Sequence, residues 1–155
     1  MLKSLKIGYK FNHPLTHEVL PLSLQHLCLG TSFNQSMNDI MMLLLRSLTL
    51  GGYFNEIIED NVLPATLEIL NFGWSYNKVI GEKVLPTSLT KLRFGREYCK
   101  KINKNILPLS LKYLHFGKKF NHLITKIIDP LSLKCLELGM RYNKPLIINK
   151  LDELI

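Results

Sequence analysis

Apolar residues along the 155-residue chain recur in one short phrase, L-x-x-L-x-[LIF]-G, which is written seven times. Aligned on its last residue, the phrase ends at Gly8, Gly30, Gly51, Gly73, Gly95, Gly117 and Gly139; successive glycines are 22 residues apart, except for the step of 21 from Gly30 to Gly51. Leu24, Leu27 and Leu29 fill the apolar positions of the second phrase, and Leu89, Leu92 and Phe94 those of the fifth. The last two are two apart, the period of a strand with one buried face. The phrase is too short, and ended too soon by glycine, to be a helix. One such strand cannot bury its face alone, but stacking each on the next makes a continuous parallel sheet over a continuous core. The pattern predicts a solenoid of about seven 22-residue coils, with one short parallel strand per coil forming a concave sheet and a mostly irregular convex side. At the sheet spacing of about 4.8 Å per coil the stack would be roughly 30 Å long.

Other columns fill out the coil. An aromatic stands three residues after each glycine (Phe11, Phe33, Phe54, Tyr76, Tyr98, Phe120, Tyr142), and the next residue is Asn12, Asn34, Asn55, Asn77, Cys99, Asn121 or Asn143. Proline stands nine before the glycine at Pro21, Pro64, Pro86, Pro108 and Pro130, where a fixed φ and a missing N–H suit the bend into a strand. The glycines require either a positive φ or a backbone too crowded for a Cβ. The asparagines are expected to form an internal structural ladder, their amides satisfying backbone groups that the sheet leaves unpaired. Coil three departs from the pattern with Met42 in the proline column and Leu44 where serine or threonine usually stands, and Cys99 interrupts the asparagines. A weak seam is expected at Cys99.

The combined signature LP-x-SL-x-x-L-x-FG-x-x-FN, on a 22-residue period, resembles the FNIP repeat, a relative of leucine-rich repeats. Phe11 to Pro14 read FNHP and Tyr142 to Pro145 read YNKP, and the resemblance covers essentially all 155 residues. It implies a leucine-rich-repeat-like fold in one domain over residues 1–155 with no linker. Such proteins are typical of social amoebae and of giant viruses of amoebae, and many carry an F-box ahead of the repeats. The resemblance thereby implies a substrate-recruiting arm of a ubiquitin-type pathway. Here the first strand begins at about Leu2, which leaves no room for an F-box.

Function has to be sought where the repeat does not dictate the residue. Two positions before the glycine stand Lys6, Cys28, Thr49, Asn71, Arg93, His115 and Glu137; four before it stand Ser4, His26, Ser47, Ile69, Lys91, Tyr113 and Cys135; one after it stand Tyr9, Thr31, Gly52, Trp74, Arg96, Lys118 and Met140. Alternation turns these side chains outward onto the concave face. Variation confined to one face of a regular frame is what a binding surface requires. The candidate binding residues are Ile69, Asn71, Trp74, Lys91, Arg93, Arg96, Lys112, Tyr113, His115 and Lys118. Tryptophan is the residue type most favoured at interface hot spots; the alternative for Trp74 is to fold over the rim onto Tyr53 or Tyr76.

Composition adds charge to this picture. The chain carries +8 at neutral pH. Residues 1–77 hold 4 Lys or Arg against 6 Asp or Glu, and residues 78–155 hold 16 against 6, so the basic charge lies in the C-terminal half. The leading expectation is an unidentified protein partner on the concave face, and the alternative is a polyanion or nucleic acid on the basic half. The three cysteines match no metal spacing, His13 and His17 flank a proline, and no phosphate-cradling loop or catalytic triad can be placed. Neither an enzyme nor a cofactor or metal is expected. The longest apolar run, Ile40 to Leu45, is far short of the roughly 20 residues of a membrane span, which points to an intracellular, cytoplasmic setting. Neither end carries a polar cap, so the expectation is either that the stack pairs end to end with a copy or that it is a fragment of a longer array.

Overall fold

The computed structural model describes residues 1–16, 18–38, 40, 44–124 and 132–146. His17, Met42, Lys126, Pro130 and residues 151–155 lie outside the described residues. The strands are β1 (Ser4–Lys6), β2 (His26–Cys28), β3 (Ser47–Thr49), β4 (Ile69–Asn71), β5 (Lys91–Arg93), β6 (Tyr113–His115) and β7 (Cys135–Glu137). They form one seven-stranded parallel sheet in chain order. No helix occurs among the described residues.

Each strand is centred on the leucine three before the glycine, and these leucines are in register from Leu5 against Leu27 through Leu114 against Leu136. The shortened step leaves the register intact, with Leu27 opposite Leu48. The missing residue is absorbed in the connecting segment, where no ladder depends on it.

The core runs the length of the stack. In its centre, Leu45, Leu48, Leu67, Leu70 and Leu89 have no exposed surface. The aromatics after the glycines form a column of nearly parallel rings, with centroids 6.0 Å apart for Phe54 and Tyr76 and 6.5 Å for Phe120 and Tyr142. A second column, Phe72, Phe94 and Phe116, stacks at 5.3 and 5.2 Å and touches the first, as at Phe94 and Tyr98, 4.1 Å apart. Offset stacking adds to the area these rings bury. Within the core the Tyr76 and Tyr98 hydroxyls have no hydrogen-bond partner among the described residues.

Tight turns precede β2, β4, β5 and β6 and follow β1, β2, β3, β5, β6 and β7. The proline carbonyl accepts from the backbone N–H three residues on, as Pro64 does from Leu67 at 3.0 Å. The glycine carbonyl likewise accepts from the aromatic N–H, as Gly30 does from Phe33 at 3.1 Å. None of the glycines has a positive φ, which is found instead at Asn61 and Asn105. Crowding therefore explains the column. A Cβ on Gly30, Gly51, Gly73, Gly95, Gly117 or Gly139 would drive into the carbonyl oxygen of the preceding coil's glycine, closer than a non-bonded carbon and oxygen can approach.

Asparagine Oδ1 atoms accept from the backbone N–H at the same position one coil on: Asn12 from Asn34 at 2.8 Å, Asn34 from Asn55 at 2.7 Å, Asn55 from Asn77 at 2.9 Å, Asn77 from Cys99 at 3.0 Å, and Asn121 from Asn143 at 2.8 Å. Cys99 has no amide to offer Asn121, so that rung is absent. The expectation of an internal column needs correction, because Asn12, Asn121 and Asn143 are exposed and the others only half-buried. The bond needs only the Oδ1 to reach the next coil, which leaves the rest of the side chain at the surface. A second set of links runs from the hydroxyl one before the first leucine to the preceding coil's leucine carbonyl: Ser23 to Leu2, Thr66 to Leu45, Ser88 to Leu67 and Ser110 to Leu89, at 2.9, 2.9, 2.6 and 2.7 Å. Leu44 cannot make this bond for coil three.

Candidate recognition surface

Strand alternation carries the variable side chains onto one face because the intervening leucine is pinned in the core: β5 reads exposed, buried, exposed over Lys91, Leu92 and Arg93. Across coils two to six this face forms a groove of about 900 Å³. Of the ten candidate residues it brings together eight: Ile69, Asn71, Trp74, Lys91, Arg93, Arg96, His115 and Lys118. Lys112 and Tyr113 are exposed but stand outside the groove wall. Tyr113 instead lies under Lys91, whose Nζ is 5.8 Å from the ring centroid.

Trp74 is 66% exposed and makes no ring contact with Tyr53 or Tyr76, since Tyr76 is taken up in the core column. Gly52, one coil before it in the same column, lines the same groove, and a Cβ there would meet the Thr31 side chain. Half-buried Ile69 lines the same stretch. Asn71 is held by its own neighbour, with Nδ2 donating to Thr49 Oγ1 at 3.1 Å. The floor is set by Leu50, Phe72 and Phe94, which pattern reading assigns wholly to the core.

The other half of the groove is basic. Arg93, Lys91 and Lys118 form no ion pair among the described residues, and Arg96 has only the half-buried Glu97 carboxylate 3.6 Å from its Nε. Carboxylates near this region are already engaged. Glu137 Oε2 is 2.7 Å from His115 Nδ1, and Glu97 pairs with Lys119. A hydrogen bond from Lys119 holds the Glu97 carboxyl below the usual range, with the charges of Lys119, Arg96 and Arg141 adding to the effect. The surface thus offers an apolar and aromatic stretch next to Arg93 and Lys118, cations with no ion-pair partner among the described residues.

No group of three or more potential metal ligands occurs among the described residues. No helix there is long and apolar enough to cross a membrane.

The FNIP Repeat family profile matches residues 1–32, 11–43, 44–75, 76–119 and 98–139. The chain belongs to the FNIP-repeat family. Among solved structures this FNIP-repeat chain is similar to CroV588, a giant-virus protein described as a novel circular LRR protein, with a TM-score of 0.83 and 39% identity. The match covers 92% of this chain and 24% of that one, so the present chain spans about a quarter of its relative's length. No curated protein matches the sequence. The repeats are thus a leucine-rich-repeat-like solenoid, the architecture of a protein-interaction module.

Proposed function

We propose that the chain is a non-catalytic recognition module that binds a partner protein in its concave groove. The observation that carries this reading is the coincidence, on one face, of exposed Trp74 with Arg93 and Lys118, which have no ion-pair partner among the described residues. A suitable partner presents an apolar side chain to Trp74 and carboxylates to Arg93, Arg96 and Lys118. Large aromatic and arginine side chains supply most of the binding energy at such surfaces, and unpaired cations steer an acidic partner toward them. Family membership supports the finer form of the reading, a substrate-recruiting arm in a ubiquitin-type pathway inside the cell.

The test is capture from a host lysate, read by mass spectrometry, with wild type, Trp74→Ala and Arg93→Glu side by side. Both variants are expected to lose the captured protein and keep the wild-type melting temperature, because neither side chain is in the core. Retention of every partner by both variants would show that the groove is not the contact.

The polarised charge favours a second reading, binding of a polyanion or nucleic acid to the basic half. Association of the stack through its ends concerns a different surface.

A further inference from the structure

The groove runs along the stack, across the strands. In each coil the residue two before the glycine and the residue one after it flank the buried position and the glycine between them. Stacking turns these into two rows of side chains with a floor between. One row runs through Thr49, Asn71, Arg93 and His115. The other runs through Trp74, Arg96 and Lys118. The floor is made of Leu50, Phe72 and Phe94 together with glycines of the column, which carry no side chain.

Charge divides this trough in two. No aspartate or glutamate lines it, and its cations Lys91, Arg93, Arg96 and Lys118 all belong to coils five and six. The residues that line it in coils two to four carry no charge. A nucleic acid, charged at every nucleotide, would leave phosphates against that neutral half. A peptide with an apolar side chain at one end and a carboxylate toward the other matches both halves. Strands β2 to β6 are each paired on both sides, so a chain lying across them finds no strand edge, and its N–H and C=O groups need side-chain partners. The neutral half supplies them through the hydroxyls of Thr31, Ser47 and Thr49 and through Asn71, whose Nδ2 is held by Thr49 while its Oδ1 has no partner among the described residues.

We infer, resting on the recognition reading above, that the partner enters the groove as a linear acidic segment of about six residues, extended along the stack. Its apolar side chain packs on Trp74, and a carboxylate two residues away sits between Arg96 and Lys118. The length follows from the coils: four steps of about 4.8 Å, from coil two to coil six, make about 19 Å, which an extended chain covers in about six residues at about 3.3 Å each. The spacing follows from the row. Arg96 lies about 5 Å and Lys118 about 10 Å along the stack from Trp74. Side chains two apart in an extended chain point the same way about 6.6 Å apart, which places the second residue from the anchor between the two cations. The first and third residues point away from the floor. Arg93, in the opposite row of the same coil as Arg96, stands across the floor from that carboxylate.

Selection of random linear hexapeptides displayed on phage, with the 155-residue chain as bait, tests this. Enriched sequences are expected to pair an apolar or aromatic residue with an aspartate or glutamate two positions away, in either order, because the spacing is the same for both chain directions. A synthetic peptide of enriched sequence is then titrated against the fluorescence of Trp74, the single tryptophan of the chain. Moving its acidic residue by one position should weaken binding at least about tenfold, and so should Arg93→Glu, which leaves the reporter in place. No enrichment, enrichment without that spacing, or binding indifferent to Arg93→Glu overturns the inference. Lysate capture that depends on Trp74 and Arg93 alongside a failed selection would keep the recognition reading and remove the linear segment. Failure of both would remove the groove as the site.

Discussion

Cys99 illustrates how one side chain sets the strength of one seam. Its N–H is bonded to Asn77 and its carbonyl to His122 Nε2 at 2.7 Å, yet its thiol, 3.5 Å from Asn77 Oδ1, cannot accept from Asn121 as an amide would. Cys99→Asn is expected to add the missing rung, worth about 0.5–1.5 kcal/mol net. Calorimetry should show a higher melting temperature, and an unchanged or lower one counts against the ladder. Tyr98 offers a second case at this scale. Its ring is fully buried and its hydroxyl unpaired among the described residues, so desolvation pushes the phenol well above its ordinary range, with the charges of Tyr76 and Cys99 adding; Tyr76 is raised likewise by burial. The folded state therefore holds these protons more tightly than the unfolded chain does. Their contribution is complete below the unfolded phenol value of about 10 and is lost as pH rises beyond it. Tyr98→Phe removes a buried hydroxyl whose burial costs about 1–3 kcal/mol. It is expected to raise the neutral-pH melting temperature and to flatten the alkaline decline, and a variant with the wild-type alkaline profile would refute this assignment.

At the scale of the element, the unit of stability is the step between coils, made of backbone bonds, an asparagine rung, a hydroxyl link and stacked rings. The glycine column sets how closely two coils approach. Gly95→Ala would press a methyl group into the Gly73 carbonyl and toward the Trp74 Cα, forcing β4 and β5 apart at a cost of about 3 kcal/mol. Gly8→Ala has no such neighbour and serves as the control. Urea denaturation should separate the two, and equal midpoints would show that crowding is not what the column records. Coil three tests the same idea naturally, because Leu44 removes its hydroxyl link while the strand register stays intact. The backbone bonds carry the register, and the side-chain links add to it.

On the scale of the whole molecule, each coil touches only its neighbours, so stability is close to a sum over steps. Charge does not follow that regularity. Arg46 with Glu68, Glu97 with Lys119, and His115 with Glu137 link equivalent positions of adjacent coils, while the groove cations Lys91, Arg93 and Lys118 have no such link among the described residues. If the groove serves a protein partner, binding to heparin, DNA or RNA should be undetectable even at low salt. Strong binding whose logarithm falls linearly with the logarithm of salt concentration would favour the polyanion reading instead.

The spacing of the letters settles the coil, the strand centres and the parallel register, because a strand phrase repeated every 22 residues can bury its face only against its own copies. It also separates frame from variable face, since alternation within three residues leaves no choice of side. Other features depend on atoms from different coils meeting. The purpose of the glycines lies in a carbonyl 22 residues away, which a pattern of φ preferences does not contain. Trp74 is exposed while Tyr76 enters the ring column, and Tyr113 stands outside the groove although its column faces outward. Phe72 and Phe94 are core residues by pattern and groove floor by geometry, because the space beside the strand reaches down to their rings. The difference between Gly8 and the other glycines is of the same kind: identical in the sequence, they are distinguished only by what lies against them.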